Sequence, residues 1–563
     1  MSTLSPLAKS GIPLRLGTQR GTERLYLAGG IAIALTVLLP IVALAVIAVS
    51  GTAANWSHLA QTILPEAARV TLLLMLGIAL VAGSTGVVTA WLVASFQFPG
   101  RGLFAWALVL PLAVPTYIAA YGFNEFLHFT GPVQTGIRAL FGFSTRRDYW
   151  FPEIRSLGGA IFILSAVLYP YIFLTVRMVF LMQGRKVGDV ARTLGATRAA
   201  VFFKVLLPMA RPAIAIGVAL ALMEAINDIG AVEFLGVRTL TFAVYSTWLN
   251  RGDLQGATQI ALMMLGVIVL LVVVERLARR QQRYSVHRGD RPQKGREALR
   301  GAKAALAVAA CLLPIAFGFG IPFAVLLGFA LQRLEQASDP QLWRALWHTV
   351  AMASATGVVT VAAGFMMAYG IRLTQSRRLS ALVRMGALGY AVPGTVLAIG
   401  ILIPLAAFDN AVDAALRSSF GISSGLFLSG SGFAIVYACS VRFMAMGHGA
   451  IESGFSKLSP HLDMAARTLG RGPGGTMREI LLPLMRPALL TSFLLVFVDS
   501  TKELSATILL RPFDFETLAT FVYTQASRSA FEDGALAALL IVVTGIVPVV
   551  LLTRTIMADG REG

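Results

Sequence analysis

Four carboxylates stand where the chain is otherwise strongly apolar. Glu224 and Asp228 lie four residues apart, and Asp499 and Glu503 repeat that spacing 275 residues further on. At i,i+4 two such groups share one face of a helix. An acid inside an apolar region costs about 2.5–3.5 kcal/mol even on the lenient insertion scale, so it usually faces a bundle interior or water. Two such pairs facing one another would favour a cationic solute. A purely structural use is also open: Lys502 can pair with Asp499 at i,i+3, and Glu224 can hydrogen-bond within a bundle. Other chemistries find less support. Gly421-Ile422-Ser423-Ser424-Gly425 matches the G-x-S-x-G nucleophile pattern, but it falls in a Gly/Ser-rich stretch between apolar runs and not in a strand–turn–helix context. There is no H-E-x-x-H and no His/Cys/Asp cluster, so no metal site is expected. Cys311 and Cys439 each sit alone in an apolar run, which argues against a disulfide framework or a thiolate metal site.

The elements that must position these acids are membrane helices. The chain has 563 residues, 56% hydrophobic and 13% charged, whereas charged residues make up about a quarter of an ordinary globular protein. Apolar runs long enough to cross a ~30 Å hydrocarbon core recur throughout. Twelve spans are expected, near 25–50, 66–96, 103–124, 157–180, 210–230, 257–275, 304–331, 346–371, 381–407, 430–450, 484–505 and 533–553. The fold class is therefore an all-α integral membrane protein. The first apolar stretch is too long for a signal-peptide core and reads as an uncleaved anchor.

The net charge of +19 would suggest nucleic acid in a soluble protein. Here its first meaning is orientation, because Lys and Arg collect in cytoplasmic loops. Segment 276–303 holds ten Lys/Arg against Asp290 and Glu297. Arg185, Lys186, Arg192, Arg198 and Lys204 follow span four, and Lys9, Arg15, Arg20 and Arg24 precede span one. All fall on one side if both termini are cytoplasmic. The loop 125–156, with Arg138, Arg146, Arg147 and Arg155, dissents mildly from the opposite face.

The acids belong to a larger repeat. TGVVT stands at 85–89 and 356–360, AVPTYIAAYG at 113–122 parallels AVPGTVLAIG at 391–400, and ARTLG stands at 191–195 and 466–470. Each ARTLG runs on by the same distance to Leu207-Pro208 or Leu482-Pro483, followed by Arg211-Pro212-Ala213 or Arg486-Pro487-Ala488. Six spans, a basic linker and six spans in the same orientation make a parallel repeat, with a pathway expected at the interface between the halves. The expected divisions are a tail 1–24, a first repeat 25–275, the linker 276–303, a second repeat 304–555 and a tail 556–563. Duplication for packing alone would keep the spans better than a polar loop.

The two polar loops resemble the cytoplasmic "EAA" loop of ABC-type importer permeases, whose pattern is Glu-Ala-Ala, three residues, Gly, nine residues, Ile, one residue, Leu-Pro. The first copy has Asp189, Val190, Ala191, Gly195, Val205, Leu207 and Pro208 at these places; the second has Met464, Ala465, Ala466, Gly470, Ile480, Leu482 and Pro483. Both keep the spacing. Both depart at the acidic position, conservatively at Asp189 and not at Met464, which has Asp463 beside it. A short helix broken at Gly and resumed before Leu-Pro gives a compact helix–turn–helix that can sit in a groove of a soluble partner. Segment 502–523, KELSATILLRPFDFETLATFVY, resembles iron(III) ABC importer permeases, which are likewise fused twelve-span chains. The segment 227–248 is a looser counterpart in the first half.

The resemblance implies a permease in the bacterial cytoplasmic membrane, and the basic segments put both termini in the cytoplasm. The resemblance also implies two copies of a separate ABC ATPase at the two loops, and a periplasmic binding protein that delivers substrate outside. The chain has no G-x-x-x-x-G-K-[ST] loop, so ATP and Mg would be used by those partners and no cofactor is expected in the chain itself. Membrane lipid is the other expected partner, and no nucleic acid is. Permeases for thiamine, polyamines or aminophosphonates share the architecture and are the alternative cargoes. A proton-coupled secondary transporter, the rival from another class, would place coupling carboxylates on broken mid-membrane helices and has no use for a duplicated docking loop.

Overall fold

Proline breaks the helices at matching places in the two repeats. The computed structural model describes residues 16–49, 53–181, 193–280, 297–386, 389–390, 392–459 and 461–559. Ten helices among them are long and apolar enough to cross a membrane, and an eleventh candidate is a pair, Arg101–Ala113 with Thr116–Phe141, bent by 94°. The helix Phe531–Asp559 covers the twelfth expected span. The bend falls at Pro115, which is extended at φ −56°, ψ 138°. Its counterpart Pro393, at φ −57°, ψ 143°, makes the same break. The ninth expected span, 381–407, is thus corrected: a short helix Arg377–Gly386 ends before the break, and Gly394–Phe420 begins after it. Proline drives the residue before it out of the helical region, so an Ala-Val-Pro inside an apolar run interrupts the helix.

A subtler effect of proline recurs at the loops. Phe202–Leu206 and Thr476–Leu481 are π-helical, and each ends at the Leu-Pro pair that opens the next span; Ala316–Gly320 does the same before Ile321-Pro322. Proline cannot donate to the carbonyl four residues back and its ring crowds that oxygen, so the preceding turn widens.

The repeat holds at the level of single hydrogen bonds. Thr239 caps the helix Leu240–Leu249 and Thr517 caps Leu518–Ser527. The Leu240 amide donates to Thr71 Oγ1 at 2.9 Å, and the Leu518 amide donates to Thr349 Oγ1 at 2.8 Å. Those two hydroxyls donate in turn to the carbonyls of Ala67 and Ala345, both at 2.7 Å.

The halves are interlocked. The first helix, Leu16–Val49, packs on second-repeat helices: Tyr26 meets Tyr369 edge-on at 5.1 Å, and the Tyr437 hydroxyl donates to the Thr36 carbonyl at 2.6 Å. Conversely Ala307, Cys311 and Leu326, from the first helices of the second repeat, join the core built by the first repeat. Only 22% of the apolar window of Ala302–Gln332 is buried inside the protein, leaving the rest for hydrocarbon. The end of the linker is pinned by a parallel pair, Phe96–Gln97 with Glu297–Ala298.

The span Leu207–Asn227 lies close against Leu157–Val179. A Cβ added at Gly217 would stand 2.7 Å from Ile172 Cα and 3.0 Å from the Tyr171 carbonyl oxygen, backbone atoms that cannot step aside. Gly217→Val should therefore cost about 3 kcal/mol, the upper end of overpacking, read as a lower unfolding temperature in detergent. Its counterpart Ser492 donates to the Gly447 carbonyl at 2.9 Å, so Ser492→Ala should cost only about 1 kcal/mol.

Candidate functional site

The span Leu207–Asn227 stops one residue before Asp228, whose Oδ1 accepts from the Ala231 amide at 2.9 Å and caps a new short helix, Ile229–Phe234. The second repeat copies the device. Leu482–Thr501 ends, and Glu503 accepts from the Ala506 amide at 2.9 Å and the Thr507 amide at 3.1 Å, ahead of the helix Thr507–Leu510. The i,i+4 reading of the acids is corrected accordingly: Glu224 and Asp499 lie on the spans, while Asp228 and Glu503 lie just beyond them. A carboxylate near a helix start accepts otherwise orphaned amides, which competes with continuing the helix.

All four acids line one cavity of about 100 Å³ between the halves, with Tyr117, Asn227, Arg442 and Lys502. That is room for a partly hydrated ion or a few waters. Arg442 Nη1 lies 2.7 Å from Glu503 Oε1, with only 9% and 1% of their side chains exposed, and Lys502 Nζ lies 2.8 Å from Asp499. The Tyr390 hydroxyl donates to Glu224 Oε1 at 2.7 Å.

The charge is not symmetric. The acids are counterparts at an offset of 275, but Arg442 corresponds to Val167 and Lys502 to Asn227. Both cations of the cavity thus come from the second repeat and are held by its own carboxylates, while Glu224 and Asp228 have no ion-pair partner among the described residues. Four carboxylates against two cations leave a formal excess of two negative charges. Sequence reasoning missed Arg442. A lone Arg inside an apolar span was the available signal. Beyond the caps, the counterparts Tyr245 and Tyr523 touch hydroxyl to hydroxyl at 3.2 Å, and Tyr523 donates to Glu233 at 2.7 Å, joining the halves.

The duplicated loops are built alike. Asp189 and Ala191 lie outside the described residues. Gly195 and Gly470 have φ +85° and +79° with open space around them, a left-handed turn that costs a side chain about 1–2 kcal/mol. Just before them Leu194 and Leu469 are 82% and 80% exposed. In the helix His461–Thr468, Ala466 is buried and Ala465 exposed. Leu207, Pro208 and Leu482 are half-buried, and Pro483 is exposed. Asp463 pairs with Arg372 at 2.7 Å, and the Arg372 guanidinium also donates to the carbonyls of Phe455, Leu458 and Ser459. The second loop is thereby tied to the span Pro340–Thr374.

Comparison with known proteins agrees with this geometry. Residues 84–283 match the family of binding-protein-dependent transport system inner membrane components. The molybdenum transport system permease protein ModB of Escherichia coli is 30% identical over 204 residues, covering 34% of this chain and 84% of that protein. The chain belongs to this family. It is also similar to the Fe(3+)-transport system permease protein FbpB 2 of Haemophilus influenzae, 23% identical over 488 residues, which cover 86% of this chain and 88% of the relative. The sulfate transport system permease protein CysT of E. coli is 29% identical over 246 residues, 43% of this chain and 86% of the relative. The permease is therefore a multi-pass inner-membrane component of an ABC importer, and its relatives are transport proteins and not enzymes.

Proposed function

We propose that this permease carries iron(III) inward, driven by ATP hydrolysis in two separate ATPase subunits and supplied by a periplasmic binding protein. The observation that carries the cargo class is the cavity between the halves: four carboxylates outnumber two cations, and both cations are already engaged. Such a wall attracts a cation and repels an oxyanion such as sulfate, the solute named for one of the relatives. The relative named for Fe(3+) also matches nearly the full length of the chain. A small cavity suits an ion better than thiamine, a polyamine or an aminophosphonate. A competition panel tests this reading. Uptake in cells carrying the chain should be suppressed by iron(III) and unaffected by sulfate, molybdate, thiamine, polyamine or aminophosphonate. Competition by sulfate would reject it.

ATP and Mg act in the partner ATPases. Each would dock where an exposed leucine precedes a left-handed glycine, at Leu194-Gly195 and Leu469-Gly470. Asp189, Ala191, Leu207 and Pro208 would complete the first docking loop, and Ala465, Ala466, Leu482 and Pro483 the second. Replacing Leu194 and Leu469 together by Asp should leave the chain in the membrane and abolish co-purification of the ATPase; retained association would reject docking there. Placing both termini and the linker 276–303 in the cytoplasm follows from the basic residues. A cysteine replacing Ser285 should resist an impermeant thiol reagent added to intact spheroplasts, and labelling there would reverse the orientation.

A further inference from the structure

The symmetric acids of the cavity do different work in the two halves, and the first half has unmet oxygens. Asp228 Oδ2, Asn227 Oδ1 and the Tyr117 hydroxyl are buried, line the cavity and have no hydrogen-bond partner among the described residues. Asn227 and Tyr117 are each only 3% exposed. Buried polar atoms are nearly always paired, and an orphan costs about 1–3 kcal/mol, so three in one cavity mark a place where something else supplies the partner. All three are oxygens, and two are acceptors without a proton to give when Asp228 is ionised. Glu224 stands on the same wall, its Oε1 satisfied by Tyr390.

The opposite wall is already satisfied. Glu503 takes Arg442, two amides and the Thr507 hydroxyl, and Asp499 takes Lys502. Its charges cancel locally, so it adds little attraction. Hard cations of high charge take carboxylate, carbonyl and phenol oxygens, and imidazole or thiolate ligands suit softer metals.

We infer that Asp228, Asn227 and Tyr117 form a one-sided oxygen cradle for a hard, highly charged cation, while the second-repeat acids serve as an internal scaffold. This deepens the iron(III) reading and rests on it for the biological cargo, but the cradle itself is a claim about hard cations in general. It also gives the first repeat the task of contacting cargo and the second that of holding the break rigid.

The test uses the purified full-length chain in detergent and terbium(III) as a hard trivalent probe, read by emission sensitised through tyrosine. Wild type should show saturable emission. Asp228→Asn is the informative variant, because Asn caps a helix as well as Asp and so removes charge without removing the cap. It should weaken terbium binding by about tenfold or more, as should Asn227→Leu. Glu452→Gln, on the surface, should bind as wild type does. Tyr117→Phe should lower the emission more than the affinity, since the sensitising phenol goes with the ligand. Terbium binding by Asp228→Asn equal to wild type would overturn the cradle. So would an equal loss in Asp499→Asn, which would restore a symmetric site. An Asp228-dependent terbium site in a chain that supports no iron uptake would keep the cradle and reject iron as cargo. Iron uptake that persists beside an unaffected Asp228→Asn would do the reverse.

Discussion

Arg442→Met is expected to destabilise the permease by about 3–5 kcal/mol, the cost of leaving one partner of a buried ion pair unmatched. Glu503 is 4% exposed and Arg442 is 7% exposed, and their nearest atoms are 2.7 Å apart. Removing the guanidinium leaves the carboxylate three donors, the Ala506 and Thr507 amides and the Thr507 hydroxyl, but no opposite charge at hand. The double variant Arg442→Met with Glu503→Gln should recover much of the loss, because it removes both charges and keeps an acceptor for the cap. Thermal unfolding of the purified chain in detergent measures both. A single variant as stable as wild type would mean that water reaches the pair and that it does not hold the break after Thr501.

Neutralising the two acids that lack an ion-pair partner should have the largest effect on transport. Glu224→Gln with Asp228→Asn keeps an acceptor for Tyr390 and a cap for Ile229–Phe234, while the cavity changes from two excess negative charges to none. Uptake should fall by about tenfold or more, on the scale of 1.4 kcal/mol per tenfold. Membrane abundance and association with the ATPase should stay as they were. Reduced abundance with normal uptake per molecule would assign these acids to packing.

Much of the fold was legible because apolar runs and a strict repeat carry it. The offset of 275 matches the loops, the acids and even the caps Ser156 and Ser431 of the spans Leu157–Val179 and Gly432–Ser456. The breaks were less legible. Ala-Val-Pro at 391–393 was visible as a repeat, yet an apolar run hides a helix end when polarity is the only guide, and so the ninth span was set too early. Asp228 and Glu503 were read by helical spacing alone, although Asp is also among the residues that favour a helix N-cap. The exchange of the first helices has no sequence signature, since an apolar face does not name its partner. Arg442 could have been found by laying one repeat on the other: against Val167 it is a charge where symmetry expects a methyl group.

One measurement bears most directly on the central claim: uptake into liposomes holding the purified permease with its ATPase, with the binding protein outside and ATP inside. Accumulation of iron(III) that requires ATP, survives an uncoupler and is lost in Glu224→Gln with Asp228→Asn is the expected result. ATP-dependent accumulation of sulfate or molybdate in its place, or iron uptake abolished by the uncoupler without need of ATP, would contradict it.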